Sequence, residues 1–129
     1  MTTRQVSARS ILLIEDDADI HSMLIMLLQR KGYSVTGVSF GQDALIYLAE
    51  TETLPELILL DLRLPDMGGN EVYHLLQNDP RLMNIPVILM TAEPSGPKVA
   101  HELGVFGFLA KPFTPVALLQ LTESICSPA

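Results

Sequence analysis

The chain has 129 residues, of which 15 are Asp or Glu and 8 are Lys or Arg, so its net charge is -7. It is 48% hydrophobic and 18% charged, which suits a single packed domain and excludes disorder of the whole chain. The acidic balance disfavours direct binding to nucleic acid or to a membrane surface. A single cysteine excludes an intrachain disulfide, and neither a signal peptide nor an apolar run of roughly 18 residues is found, which predicts a cytoplasmic protein.

After the polar residues 1–10, which predict a flexible N-terminal tail, short apolar runs alternate with helix-length segments. The five runs are Ile11–Ile14, Ser34–Val38, Leu57–Leu60, Pro86–Met90 and Phe106–Ala110. Because these runs are apolar throughout, we expect strands that are covered on both faces. The pattern predicts a three-layer α/β domain over residues 11–126 with a five-stranded parallel sheet, followed by a tail at 127–129.

Four helices are predicted from apolar spacing and capping residues. The first has apolar residues at helical spacing from Ile20 to Leu28. The second begins where Ser39 and Gln42 resemble a capping box, and the last begins where Thr114 precedes a proline. The third has its apolar face at Val72, Leu75 and Leu76.

The segment between the fourth and fifth runs predicts a weaker helix. Residues 93–97 read Glu-Pro-Ser-Gly-Pro, and the two prolines would interrupt a helix there. Only residues from Lys98 to about Leu103 remain, so we expect a short or irregular fourth helix.

Polar residues directly follow four of the apolar runs. They are Glu15, Asp16 and Asp17 after the first run, Asp61 after the third, Thr91 after the fourth and Lys111 after the fifth. The carboxyl ends of parallel strands meet at one edge of a sheet, where open α/β folds bind ligands. Clustered carboxylates favour a hard cation, Mg²⁺ or in its place Mn²⁺, and a phosphoryl-transfer site in which Asp61 is the nucleophile.

Each of these residues also has an ordinary structural explanation when it is taken alone. Asp17 fits the N-cap of the first helix, Thr91 fits a loop hydroxyl and Lys111 fits a surface charge. The histidines at 21, 74 and 101 have no metal-ligand spacing, which favours solvated or capping roles. The combination at several strand ends is what favours the phosphoryl site.

The segments ILLIEDD, LILLDLRLPDMGG, VILMTAE and FGFLAKPF resemble, in this order, the response-regulator receiver domains of two-component signalling, the CheY-like family. The resemblance implies a doubly wound, flavodoxin-like sheet of strand order 2-1-3-4-5. It also implies a phosphoacceptor function in which a histidine kinase or a histidine phosphotransfer protein phosphorylates Asp61. A downstream protein target or an output domain would then recognise the changed surface.

The same resemblance assigns roles to residues of this sequence. Asp61 is expected to be the phosphoacceptor and, with Glu15, Asp16 and the backbone carbonyl of Arg63, to hold Mg²⁺. Thr91, Lys111 and Phe108 match the phosphoryl-binding and switch positions, and Pro112 matches the site of a frequent cis peptide bond. Arg63 and Glu93 occupy positions that tune the phosphoryl lifetime, and their opposite charges predict an ion pair across the mouth of the site.

The sequence departs from the family in one region. Thr91 and Lys111 are 20 positions apart (111 − 91), about two fewer than is usual, and the shortage falls in the weak fourth helix. The chemistry is therefore expected to be intact, with an unusual partner surface.

Other functions remain as alternatives. One is a receiver-fold interaction module that works without phosphorylation. Another is a haloacid-dehalogenase-like phosphatase, although Arg63 stands where such enzymes have a second aspartate. A flavin carrier is disfavoured because no hydroxyl-rich loop follows Ile14. We therefore expect a regulatory domain that promotes only its own phosphorylation and dephosphorylation.

Overall fold

A computed structural model describes residues 5–126, in which five strands alternate with five helices. The strands are β1 (Gln5–Ile14), β2 (Ser34–Val38), β3 (Thr53–Asp61), β4 (Val87–Thr91) and β5 (Gly107–Ala110). The helices are α1 (Ala18–Arg30), α2 (Gly41–Glu50), α3 (Gly69–Gln77), α4 (Gly96–Leu103) and α5 (Pro115–Ile125).

The five strands form one parallel sheet in the order β2-β1-β3-β4-β5, which confirms the predicted topology. Residues 11–14 of β1, residues 57–61 of β3 and all of β4 are buried, as their continuous apolar runs predicted. Helices α2, α3 and α4 pack on one face of the sheet, and α1 and α5 pack on the other. The domain therefore has the three layers of a doubly wound fold.

Strand β1 begins earlier than predicted. Gln5–Ser7 pairs with Thr53–Pro55 of β3, so the prediction of a tail over residues 1–10 is wrong for residues 5–10. The register shifts between Ser7 and Ile11, where Arg9 has a φ of 60°. The strand extends into a segment without a continuous apolar run because strand pairing uses the backbone, which the search for apolar runs does not report. The expected tails at residues 1–4 and 127–129 lie outside the described residues.

Two of the three predicted helix starts are confirmed. The Asp17 carboxylate accepts a hydrogen bond from the Ile20 N–H at 3.0 Å, and the Thr114 hydroxyl accepts one from the Ala117 N–H at 3.0 Å. The capping box at Ser39 is wrong, because α2 begins at Gly41 and Phe40 occupies its N-cap without a side-chain hydrogen bond.

The predicted face of α3 is only partly buried. Val72 and Leu76 are buried together with Tyr73, whereas Leu75 is 47% exposed. The short helix turns Tyr73, rather than Leu75, toward the core.

Helix α4 is short, as predicted. It has 8 residues, about two turns. The predicted start at Lys98 is wrong, because the helix begins at Gly96 and Pro97 lies in its first turn, where a missing N–H costs no helical hydrogen bond. It ends at Gly104, which has a φ of 77° and so occupies the left-handed region that favours glycine. Within residues 5–126, no helix combines the length and apolar character needed to cross a bilayer.

Candidate functional site

The carboxyl ends of β3, β4 and β5 bring three predicted site residues to one edge of the sheet. Asp61 is the last residue of β3 and pairs in register with Met90 of β4. Thr91 ends β4, and its carbonyl accepts a hydrogen bond from the Lys111 N–H at 2.9 Å. The backbone ladder thus fixes the relative positions of the acid, the hydroxyl and the ammonium.

Glu15, Asp16 and Asp61 form an acidic cluster at this edge. One carboxylate oxygen from each residue lies within 4.8 Å of the others. Glu15 and Asp61 are 0% and 5% exposed, whereas Asp16 faces solvent. Two buried carboxylates so close together require a nearby positive charge.

Lys111 supplies a positive charge to this cluster. Its Nζ donates to Glu15 Oε1 at 2.6 Å and to Asp61 Oδ2 at 3.0 Å. The Lys111 side chain is itself only 15% exposed, so these ion pairs are weakly screened by solvent. The sequence-based expectation that Lys111 faces the acidic cluster is met by this geometry.

Burial and ion pairing oppose each other in setting the pKa values of this pair. Burial raises the pKa of Glu15 above its ordinary value, and the hydrogen bonds from Lys111 and from the Asp17 N–H only partly oppose it. Burial alone would lower the pKa of Lys111, but its hydrogen bonds to Glu15 and Asp61 outweigh burial and raise it. Lys111 is therefore charged at neutral pH.

Thr91 and Phe108 contact different parts of the site. The Thr91 hydroxyl is buried beside the site and accepts a hydrogen bond from the Glu93 N–H at 3.1 Å, which leaves its own proton available for donation. Phe108 packs against the core on the α4 side, partly buried. Gly96, the first residue of α4, packs against both residues, since a Cβ there would be 2.5 Å from Thr91 Cγ2 and 3.0 Å from Phe108 Cζ.

Arg63 and Glu93 form the ion pair that their positions predicted. Arg63 Nη1 lies 3.2 Å from Glu93 Oε2, and both side chains are accessible to solvent. The Arg63 backbone N–H donates to Asp61 Oδ1 at 3.0 Å, which orients the Asp61 carboxylate. The loop after β3 and the loop after β4 are thereby joined across the site.

These residues line an open pocket of about 380 Å³. Its walls include all the predicted polar residues of the strand ends together with Ala92, whose small side chain leaves the space beside Thr91 open. Phe108 lies outside this pocket, and Lys111 and Pro112 are joined by a cis peptide bond, as the resemblance implied.

The family model described as the response regulator receiver domain matches residues 11–123. The chain belongs to this family. Receiver-domain regulators are signalling proteins of two-component systems, not classical enzymes, which disfavours the phosphatase and flavin-carrier alternatives.

Full-length regulators and solved receiver domains resemble this receiver domain over most of its length. It is 37% identical to the transcriptional regulatory protein GltR of Pseudomonas aeruginosa over 121 residues, 92% of this chain and 49% of that protein. It thus spans about half the length of the curated relatives it matches.

Two solved structures have closely similar folds at lower identity. The chemotaxis protein CheY4 of Vibrio cholerae superposes with a TM-score of 0.81 at 26% identity, covering 92% of this chain and 99% of that one. The receiver domain of a Pseudomonas aeruginosa sensor histidine kinase gives a TM-score of 0.82 at 26% identity, covering 92% of this chain and 98% of that one. That structure has a magnesium ion coordinated in its active-site cleft.

The acidic cluster of this receiver domain fits a divalent cation of the same kind. Three carboxylate oxygens at mutual distances within 4.8 Å provide the hard ligands that Mg²⁺ prefers, and the exposed Asp16 leaves the site open to water. No described residue adds a soft thiolate or an imidazole to this cluster. The donor set therefore matches Mg²⁺ or Mn²⁺ better than a zinc site.

Two residues near this edge, His21 and Asp66, make contacts that the sequence did not predict. His21 is half-buried and its Nδ1 lies 2.8 Å from the Glu15 carbonyl oxygen, so it donates to the backbone of the acidic segment instead of only facing solvent. Its ring packs where a Cβ at Gly37 would otherwise lie. Asp66 reaches the N-terminus of α2. Local sequence patterns predict neither contact. His21 of α1 contacts the segment that precedes this helix, and Asp66 contacts residues 24 and 25 positions away along the chain.

Proposed function

We propose that this receiver domain is a phosphoacceptor switch in which Asp61 receives a phosphoryl group from the phosphohistidine of a histidine kinase or a histidine phosphotransfer protein. The observation that carries the proposal is the contact of Asp61 with both Lys111 and the Glu15–Asp16 pair at one strand edge. A buried carboxylate with a fixed ammonium partner and two further acids suits phosphoryl transfer better than a structural role.

The transfer exchanges one bond to phosphorus for another. A carboxylate oxygen of Asp61 forms a bond to phosphorus while the bond between phosphorus and the donor imidazole nitrogen breaks. The electron pair stays with the imidazole, which then takes up a proton. Hydrolysis later adds water to the aspartyl phosphate, releases inorganic phosphate and restores the Asp61 carboxylate.

Glu15, Asp16, Asp61 and the Arg63 carbonyl would hold Mg²⁺ or Mn²⁺, which neutralises charge on the phosphoryl oxygens. Lys111, whose ammonium already contacts the Asp61 carboxylate, offers it to a phosphoryl oxygen. The Thr91 hydroxyl donates to another phosphoryl oxygen, since its proton is not used by the bond from Glu93. Movement of Thr91 is expected to be accompanied by movement of Phe108, because both side chains pack against Gly96.

The changed surface around α4 and β5 is then recognised by a downstream protein or by an output domain. GltR is named as a transcriptional regulator, and this chain spans about half its length, so an output domain elsewhere in a longer protein fits the comparison. The net charge of -7 argues against direct contact of the receiver domain itself with nucleic acid or membrane.

Incubation with acetyl phosphate and Mg²⁺ tests the proposal. We expect the intact mass to increase by one phosphoryl group, and we expect no increase after Asp61→Asn or after chelation of the metal. Asp43→Asn is the matched control, because Asp43 is an exposed aspartate in the first turn of α2. Failure to modify the unchanged chain would favour an interaction module that works without phosphorylation. An adduct that persists in Asp61→Asn would place the phosphoryl group on another residue and refute Asp61 as the acceptor.

A further inference from the structure

Asp66 joins the loop after β3 to the start of α2. Its Oδ1 accepts a hydrogen bond from the Gly41 N–H and its Oδ2 accepts one from the Gln42 N–H, both at 2.9 Å. These bonds lower the pKa of Asp66, the one from Gln42 most, so the carboxylate is ionised at neutral pH.

Helix α2 depends on this distant carboxylate for its capping. Phe40, at the N-cap, has no side-chain oxygen and makes no capping hydrogen bond. The first N–H groups of a helix have no partner within the helix, and they attract negative charge. Asp66 supplies both the acceptor and the charge from 24 and 25 residues away.

The same junction is closely packed. A Cβ at Gly41 would lie 2.5 Å from Met67 Cγ and 3.0 Å from Val72 Cγ2, so the loop and α3 press directly against the backbone of α2. Two neighbouring loop residues, Asp66 and Met67, thus contact α2 through polar and apolar atoms respectively.

The loop that Asp66 holds contains Arg63. The Gly69 N–H donates to the Leu62 carbonyl at 2.7 Å, and Arg63 pairs with Gly68 in an isolated antiparallel bridge. The loop is therefore closed at its base, with Asp66 near its tip as the polar contact that joins it to α2 beside the apolar contact of Met67. A tilt of this loop would move the Arg63 carbonyl and the Arg63 N–H that orients Asp61 Oδ1.

We propose that Asp66 is a positioning residue, which holds the loop 62–69 so that Arg63 keeps its place beside Asp61. This inference rests on the proposed function, because a displaced Arg63 carbonyl matters through the cation that it would help to hold. Groups that orient metal ligands without touching the metal commonly have such an effect.

Asp66→Ala is the decisive variant, with Thr114→Ala as its matched control. Thr114 caps α5 with one hydrogen bond, to Ala117, at a helix start that lies outside the acidic pocket. Both variants remove a helix cap, so both are expected to lower stability. Only Asp66→Ala is expected to weaken Mg²⁺ binding, by roughly tenfold in Kd as for other residues that orient metal ligands. Asp66→Asn keeps one acceptor, so its Mg²⁺ affinity is expected to lie between those of Asp66→Ala and the unchanged protein.

Mg²⁺ affinity is measured by calorimetry, and amide exchange is measured separately on the metal-free protein. We expect faster exchange at Gly41 and Gln42 in Asp66→Ala, and also at Arg63 and Gly69, whereas Thr114→Ala leaves all four unchanged. Unaltered exchange at Arg63 and Gly69, or an Mg²⁺ affinity equal to that of Thr114→Ala, would overturn the inference.

Failure of the proposed function would give a different experimental result from failure of the inference about Asp66. A wild-type chain that binds no Mg²⁺ would count against the proposed cation site itself. The exchange rates at Arg63 and Gly69 then decide alone whether Asp66 holds the loop, with faster exchange supporting that role and unchanged exchange refuting it.

Discussion

Arg63 and Glu93 form an ion pair across the mouth of the phosphoacceptor pocket, with 3.2 Å between Arg63 Nη1 and Glu93 Oε2. The Arg63 side chain is 71% exposed and that of Glu93 is 36% exposed, so solvent screens the pair and its contribution to stability is small. The pair joins the loops after β3 and β4 at the pocket that contains Asp61, so we predict that it limits the access of water to Asp61.

Arg63→Ala should shorten the lifetime of the aspartyl phosphate. Removal of the ion pair opens the pocket to the attacking water, and the loss of an exposed pair worth ~0.2–1 kcal/mol corresponds to a rate increase of up to roughly fivefold. The decay of the phosphorylated form, followed by intact mass, measures the effect. Arg81→Ala is the control, because Arg81 and Asp79 form another partly exposed ion pair at 3.2 Å that does not line the pocket. Equal decay in both variants would refute the gating role.

Lys111→Met should destabilise the protein because it leaves Glu15 and Asp61 buried without their ammonium partner. We expect a loss of about 1–3 kcal/mol in the free energy of unfolding at pH 7, the usual cost of unpaired buried polar groups. Added Mg²⁺ should restore part of this loss, since a cation compensates the same carboxylates. Urea denaturation with and without Mg²⁺ measures both effects.

The exposed Lys98 of α4 provides the control, since Lys98→Met removes an ammonium that is not buried against carboxylates. A loss in Lys111→Met no greater than that in Lys98→Met would contradict the buried ion pair.

The pKa of Lys111 is raised in the folded state, so its contribution to the stability of the fold is present below its ordinary pKa of 10.5 and is lost as the pH rises through the higher folded value.

Gly96→Ala should displace Thr91 or Phe108 without touching the acidic cluster. The added methyl group would lie 2.5 Å from Thr91 Cγ2 and 3.0 Å from Phe108 Cζ, so one of these side chains must move. Overpacking of this kind costs about 1–3 kcal/mol, more than alanine gains over glycine within a helix. Chemical denaturation measures the cost, and NMR shifts of Phe108 report the displacement.

Thr91→Ser offers a specific rescue of Gly96→Ala, because serine keeps the hydroxyl and lacks Cγ2. The double variant is expected to be less destabilised than the sum of the two single variants. Ser95→Ala is the neighbouring control, since Ser95 is exposed and its side chain makes no capping hydrogen bond. Additive effects in the double variant would mean that Gly96 and Thr91 are not in contact.

The sequence predicted the strand-end residues because strand ends are encoded locally. Asp61 and Thr91 each follow a continuous apolar run, and a parallel sheet necessarily brings such positions to one edge. The position of Lys111 after the fifth run likewise predicts it at this edge, whereas Phe108 is assigned only by resemblance to a family, because periodicity carries no information about which aromatic ring contacts the site.

The contacts that the sequence did not predict join residues far apart along the chain. Asp66 caps α2 across 24 and 25 residues, whereas the expected capping box at Ser39 used only local spacing. Residues 5–10 extend β1 although they form no continuous apolar run, since their pairing with β3 depends on backbone hydrogen bonds. Such contacts depend on the tertiary fold and leave no periodic signal.

Cys126 should make the protein lose stability at alkaline pH. Burial at the end of α5, assisted by the nearby Glu56 carboxylate, raises the pKa of the thiol to about 12. In the unfolded chain the thiol ionises near its ordinary pKa of 9.0, whereas in the folded state it keeps its proton. Ionisation therefore stabilises the unfolded state between about pH 9 and pH 12, and the stability of the folded state falls over that range. Cys126→Ala, compared with wild type at each pH by urea denaturation, removes this term and should show a shallower decline, even if its stability at pH 7 is lower. Parallel declines in the two proteins would show that the thiol ionises equally in the folded and unfolded states.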